Sequence, residues 1–205
     1  MNIAEILEYI GMASGALSGF LVGVKQRCDF FGLFMAAAVT ALGGGILRDI
    51  LVGREMYSFT HYAPFIIVII VVAASLALRL YRNIDSIEKS FTFIFADAIN
   101  LVIFSIVGAR IALEFGLNFF GVVFVALTTG VGGGILRDIM LNVVPWFLRT
   151  GFYGTICLGV GFCYFLLDRI GATQTFFVLV LMCAGVAWRL VAHYRDWRLP
   201  VASEI

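Results

Sequence analysis

The sequence predicts an all-α integral membrane protein with seven transmembrane helices: two inverted three-helix repeats plus a seventh helix. Three observations carry that prediction. The 205 residues are 62% hydrophobic and 13% charged, whereas a soluble domain is roughly 45–50% apolar and about 25% charged. A soluble monomer cannot bury that excess. Seven apolar runs, each close to the roughly 20 residues a bilayer-crossing helix needs, occupy 6–24, 30–52, 62–80, 91–113, 119–141, 149–167 and 174–193. Finally, Gly-Gly-Gly-Ile-Leu-Arg-Asp-Ile at 43–50 recurs unchanged at 132–139, 89 positions later.

The repeat organises the first six runs. At the 89-residue offset, 13 of 24 positions from Phe30 to Gly53 are identical, and Gly19 matches Gly108. Repeat one covers about 4–82 and repeat two about 91–168, with the extra helix at about 174–194. Each unit holds three spans, and an odd number makes the second copy enter the membrane from the opposite side. The runs are continuously apolar rather than alternating, which excludes a β-barrel.

Taken in order, the first run carries Gly11, Gly15, Gly19 and Gly23 as an i, i+4 ladder, flanked by Ser14 and Ser18. Small residues at that spacing allow close helix approach. The second and fifth runs carry the duplicated glycine motif. Pro64 opens the third and Pro145 follows the fifth, both positions where proline suits a helix boundary. Trp146, Trp188 and Trp197 lie near run ends and read as interfacial anchors. The N-terminus has Glu5 and Glu8 and no positive region, so the first run reads as a retained span rather than a cleaved signal.

Charge gives the orientation. The side of the N-terminus holds Arg54 and Arg169; the other holds Lys25, Arg27, Arg79, Arg82, Lys89, Arg149, Arg189, Arg195 and Arg198. Lys and Arg mark the cytoplasmic side, so the N-terminus is expected outside and the C-terminus inside. Lys+Arg 14 against Asp+Glu 13 leaves no charge for an electrostatic nucleic-acid binder. Cys28, Cys157, Cys163 and Cys183 show no paired spacing and read as small core residues. His61 and His193 form no metal constellation, and no serine has a nearby base, so an enzyme is not expected. No cofactor is suggested.

Gly43, Gly44, Gly45 and Gly132, Gly133, Gly134 are the leading candidates for function. Each glycine costs a helix about 0.8–1.0 kcal/mol relative to alanine, so three together are a point where a helix bends or unwinds. Broken backbone in a membrane must face protein or a wet cavity. Two readings stand side by side: a paired kink lining or gating a cation path, or glycines that only permit tight helix crossing. Thr40, Thr129, Ser14, Ser18, Asn100 and Ser105 offer path-lining oxygens, or bond carbonyls of their own helices.

Intramembrane charges usually face the interior and have partners. Arg48–Asp49 and Arg137–Asp138 are sequence neighbours about 100° apart on a helix and need not pair with each other. Glu8 aligns with Asp97 at the repeat offset, which points to Glu8–Arg48 and Asp97–Arg137 as pseudo-symmetric pairs. Arg110 either meets Asp49, responds to voltage at about 2.3 kcal/mol per charge per 100 mV, or pairs structurally.

The doubled Gly-Gly-Gly-x-x-Arg-Asp in seven spans resembles the bacterial members of the trimeric intracellular cation (TRIC) channel family, over nearly the whole chain. The resemblance implies a homotrimer in a bacterial inner membrane, with one path per protomer for monovalent cations (K+ or Na+, potassium preferred) and membrane lipid around it. It implies that the six motif glycines kink the second and fifth spans beside the pore. Animal members have Lys-Glu-Val in the fourth span; here that span reads Val107-Gly108-Ala109-Arg110, so gating through that lysine does not carry over. Some bacterial relatives resemble carriers of small amino acids, glycine in particular, and the alternative is a secondary transporter of that kind.

Overall fold

The computed structural model describes residues 3–82, 90–145, 148 and 152–197, without the side chains of residues 3 and 4. Lys89, Trp146, Arg149, Arg198 and the first three positions of the sixth apolar run lie outside the described residues. Among the described residues there are eight helices: α1 Ile3–Lys25, α2 Phe30–Val52, α3 Tyr57–Thr60, α4 Ala63–Ala77, α5 Phe91–Glu114, α6 Phe119–Met140, α7 Tyr153–Arg169 and α8 Thr175–Tyr194. Five of them (α1, α2, α5, α6 and α8) are long and apolar enough to cross a membrane, and α4 is a shorter apolar helix. The chain is a multi-pass helical membrane bundle.

Local chemistry sets the helix ends, and the two repeats use the same devices. Asp29 Oδ1 accepts from the Gly32 N–H at 2.7 Å at the start of α2, and Asn118 Oδ1 accepts from the Gly121 N–H at 3.0 Å at the start of α6. Each satisfies a backbone donor that the first helical turn leaves unpaired. At the other end, Arg54 N–H bonds Asp49 O at 3.0 Å and Val143 N–H bonds Asp138 O at 2.9 Å. These closures need a left-handed residue, which is Gly53 in one copy and Asn142 in the other (φ 73° and 54°). Pro64 sits in the first turn of α4.

Apolar packing divides into two principal cores. One is built on Phe20, Leu33, Leu42, Val68 and Val72 of α1, α2 and α4; the other on Leu101, Val122, Val125, Ile156 and Val160 of α5, α6 and α7. α2 packs against α1 and α6, and α5 against α6 and α1, so α2 and α6 join the halves at the centre. Ile66, Ile69, Ile70, Phe120, Phe124, Phe176 and Val180 are exposed, the pattern of helices whose outer faces meet hydrocarbon.

The structure corrects three readings. α3 was not expected, because four residues carry no periodic signal. Arg189, counted among loop charges, is buried within α8, which lowers the charge tally on that side without reversing it. The Trp188 ring packs 2.6 Å from where a Cβ on Gly159 of α7 would sit. Of the cysteines only Cys157 is a core residue; Cys28 is half-buried, and Cys163 and Cys183 are exposed.

Candidate functional site

The two glycine motifs meet. A Cβ on Gly44 would strike the Thr129 carbonyl oxygen of α6, and one on Gly133 would strike the Thr40 carbonyl oxygen of α2. A Cβ on Gly43 would lie 3.3 Å from Gly133 Cα, and one on Gly132 3.5 Å from Gly44 Cα. The helices cross backbone against backbone, which small residues alone permit. Both helices are hydrogen-bonded continuously through their motifs, so the expected unwinding is absent. The close crossing supplies the physical reason: a packed helix keeps its own ladder, and glycine's weak propensity is overridden by tertiary contact.

The third glycine of each motif serves differently. Only Arg48 Nη2 at 3.6 Å and Arg48 Cζ at 4.0 Å approach a Cβ on Gly45, and only Arg137 Nη2 at 3.8 Å approaches one on Gly134. These positions leave room for the guanidinium one turn on.

The first charge cluster joins α1, α2 and α3. Arg48, 1% exposed, donates from Nη1 to Glu8 Oε1 at 2.9 Å and from Nε to Asp49 Oδ1 at 2.8 Å. The structure thus brings Glu8 and Arg48 together, and it also pairs Arg48 with its own neighbour. Adjacency did not require that pair: a long guanidinium stem folds back across the roughly 100° that separates the two Cβ directions. Sequence reasoning missed three further members. Arg54 Nε lies 2.8 Å from Asp49 Oδ1, the Tyr57 N–H donates to Asp49 Oδ2 at 3.0 Å, and the Tyr9 and Tyr57 hydroxyls are 2.9 Å apart. Burial and the Tyr9 hydrogen bond push the Tyr57 phenol well above its ordinary value, so it stays neutral. α3 is therefore the cover of this cluster.

The second cluster joins α1, α5, α6, α7 and α8. Arg137 Nε donates to Asp138 Oδ1 at 2.8 Å, again a neighbour pair. Asp97, 3% exposed, does not pair with Arg137. Its Oδ1 accepts from Tyr153 Oη at 3.0 Å and from Ser18 Oγ at 3.3 Å, and its Oδ2 lies 3.8 Å from Arg189 Nη2. The Arg189 guanidinium also stacks over the Tyr153 ring, 4.6 Å from its centroid. The reason for the correction is competition: three other groups hold the Asp97 carboxylate. Tyr153 and Arg189 were missed; the legible signal was an arginine inside the last apolar run.

Among the hydroxyls, Ser14, Thr40, Ser105 and Thr129 donate to Ile10 O, Ala36 O, Leu101 O and Val125 O, at 2.7, 2.7, 2.8 and 2.6 Å. Each bonds its own helix at i−4. Asn100 is buried, and its Oδ1 has no hydrogen-bond partner among the described residues. Arg110 does not meet Asp49. It pairs with Glu114 on its own helix at 2.7 Å, and both are exposed. Such pairs contribute about 0.3–0.5 kcal/mol, so Arg110→Gln is expected to leave the unfolding midpoint in detergent within about 2 °C of the parent. Among the described residues, no three His, Cys, Asp or Glu side chains group to hold a metal ion.

Comparisons place this geometry in a family. The family model described as "Glycine transporter" matches residues 5–82 and 94–169. The UPF0126 membrane protein of Deinococcus radiodurans is 34% identical over 95% of this chain and 90% of its own length. The UPF0126 inner membrane protein YadS of Escherichia coli K12 is 34% identical over 74% of this chain and 72% of its own. A solved structure described as "Structural basis for conductance through TRIC cation channels" is 31% identical, with TM-score 0.85, covering 96% of both chains. A second, described as "Crystal structure of a prokaryotic TRIC channel in 0.5 M KCl", is 26% identical with TM-score 0.86, over 96% of this chain and 98% of that one. The helical bundle and the identity along the whole length lead to one conclusion: the chain belongs to the TRIC channel family.

Proposed function

We propose that this protein is a potassium-permeable monovalent cation channel of a bacterial inner membrane. It acts as a homotrimer with one path in each protomer, N-terminus outside and C-terminus cytoplasmic. Seven spans form two inverted repeats, 4–82 and 91–168, and an extra helix. The path runs between the repeats past the α2–α6 crossing, with Thr40, Thr129, Ser14, Ser18, Asn100 and Ser105 contributing oxygens. The observation that carries this reading is the 31% identity over 96% of the chain to a structure described for conductance through TRIC cation channels.

The chemistry of the buried charges is compatible with it. An uncompensated guanidinium beside a cation path repels the ion strongly at low dielectric. Arg48 is balanced by Glu8 and Asp49, and Arg137 by Asp138. The crossing is backbone against backbone at Gly44 and Gly133, and the side chains that reach Gly43 and Gly132 are the flexible tips of Leu136 and Leu47, so α2 and α6 shift there when those tips change rotamer. Gating in this reading is a small relative motion at Gly43–Gly45 and Gly132–Gly134.

The test is a planar-bilayer recording of the reconstituted protein under a KCl gradient. Resolved openings whose current reverses toward the potassium potential are expected. A silent bilayer, with saturable glycine uptake into liposomes of the same preparation, sinks the channel reading. It supports the carrier reading that the family model's description favours.

A further inference from the structure

The two repeats carry corresponding acids, Glu8 and Asp97, and use them differently. Glu8 Oε1 lies 2.9 Å from Arg48 Nη1. Asp97 and its matching Arg137 are close enough to interact electrostatically, yet no ion pair joins them. Asp97 Oδ2 and Arg137 Nη1 are both buried, and neither has a hydrogen-bond partner among the described residues. A buried donor and a buried acceptor left unbonded are costly.

Other groups hold Asp97. Tyr153 of α7 and Ser18 of α1 take Asp97 Oδ1, and Arg189 of α8 faces Oδ2 at 3.8 Å. Arg189 is fixed in turn over the Tyr153 ring. α8 lies outside the duplication. The extra cation of the first cluster, Arg54, comes from the segment after α2 and takes Asp49 rather than Glu8, so Glu8 is left to Arg48.

We propose that Arg189 is a positioning residue: it draws Asp97 away from Arg137 and keeps the second cluster open, while the first is closed by its own acid. α8 is suited to transmit motion to that cluster. Only Gly185, Arg189 and Ala192 are buried on it, and one of those three is the residue facing Asp97. Withdrawal of α8 frees Asp97 to pair with Arg137 and gives the second repeat the arrangement of the first. This names a regulation of the site in the channel reading above. Its test measures stability, so it stands or falls separately from whether ions pass.

The experiment is a double-mutant cycle between Asp97→Asn and Arg137→Gln. It is read by SDS-driven unfolding of the full-length protein in mixed micelles and repeated with Arg189 replaced. The cycle removes what each substitution does alone. In the Arg189→Gln background the coupling between Asp97 and Arg137 is expected to rise about tenfold in the unfolding equilibrium constant over the native background. Arg189→Lys, which keeps the cation, is expected to retain the native coupling. Equal coupling in the native and Gln backgrounds overturns the proposal, as does a rise with Lys as large as with Gln. If the Gln variant does not fold, Tyr153→Phe, which removes the bond to Asp97 Oδ1, is read the same way: a rise supports the proposal and no rise overturns it.

Discussion

Gly44→Val and Gly133→Val are expected to lose the folded protein, while Gly45→Ala and Gly134→Ala, in the same motifs, leave it intact or more stable. The contrast follows from what each added atom meets. At Gly44 and Gly133 it is a backbone carbonyl oxygen of the opposing helix, of Thr129 and Thr40, and a backbone cannot turn aside as a side chain does. Overpacking costs about 1–3 kcal/mol and occasionally more; here the whole helix must retreat, so the upper end applies. At Gly45 and Gly134 the nearest neighbours are guanidinium atoms at 3.6 and 3.8 Å, ordinary contacts, and alanine recovers up to about 1 kcal/mol of helix propensity. Gly43 and Gly132 fall between, since the nearest atoms are the movable tips of Leu136 and Leu47. The monodisperse fraction on gel filtration and the SDS unfolding midpoint read this series. If Gly45→Ala destabilised as much as Gly44→Ala, the crossing would not be the reason for the motif.

Arg48→Leu is expected to destabilise by about 3–5 kcal/mol, the cost of stranding a buried charge whose partner is gone. Glu8 bears that loss, because Arg48 is the cation that its Oε1 contacts. Asp49 is less affected, retaining Arg54 and the Tyr57 N–H. Combining Arg48→Leu with Glu8→Gln should therefore restore much of the stability, because the stranded charge is removed with its partner. The same unfolding assay applies. A double variant no more stable than Arg48→Leu alone would mean that the damage lies in packing rather than in charge. Arg110→Gln is the control, since its pair is exposed and local.

How far the sequence is legible depends on the range of the physics. Hydrophobic runs, a local property, locate α1, α2, α5, α6 and α8 to within a few residues. They overshoot α4 at its C-terminal end, where the chain turns at Leu78. The duplication supplies register between distant parts, and with it the Glu8–Arg48 contact. The same offset fails for Asp97, because the counterpart of Tyr153 at position 64 is Pro64, which offers no hydroxyl, and because Arg189 lies on the extra helix that the duplication does not cover. Arg189 was misread for an identifiable reason: charge counting treats an arginine near a run end as a loop residue, although its position inside the apolar run already marks a buried group that needs a partner.

The sequence by itself determined that the chain is a multi-pass helical protein, where most helices begin and end, and that two halves repeat, because hydrophobic length and repeated letters are one-dimensional quantities. Only the tertiary structure decided what the glycines touch, that each arginine folds back on its own neighbouring aspartate, and which residues claim Asp97. Those outcomes depend on which helix faces oppose one another and how far a side chain reaches across the gap. Both are set by packing in three dimensions, where Glu8 meets Arg48 while Tyr153, Ser18 and Arg189 converge on Asp97.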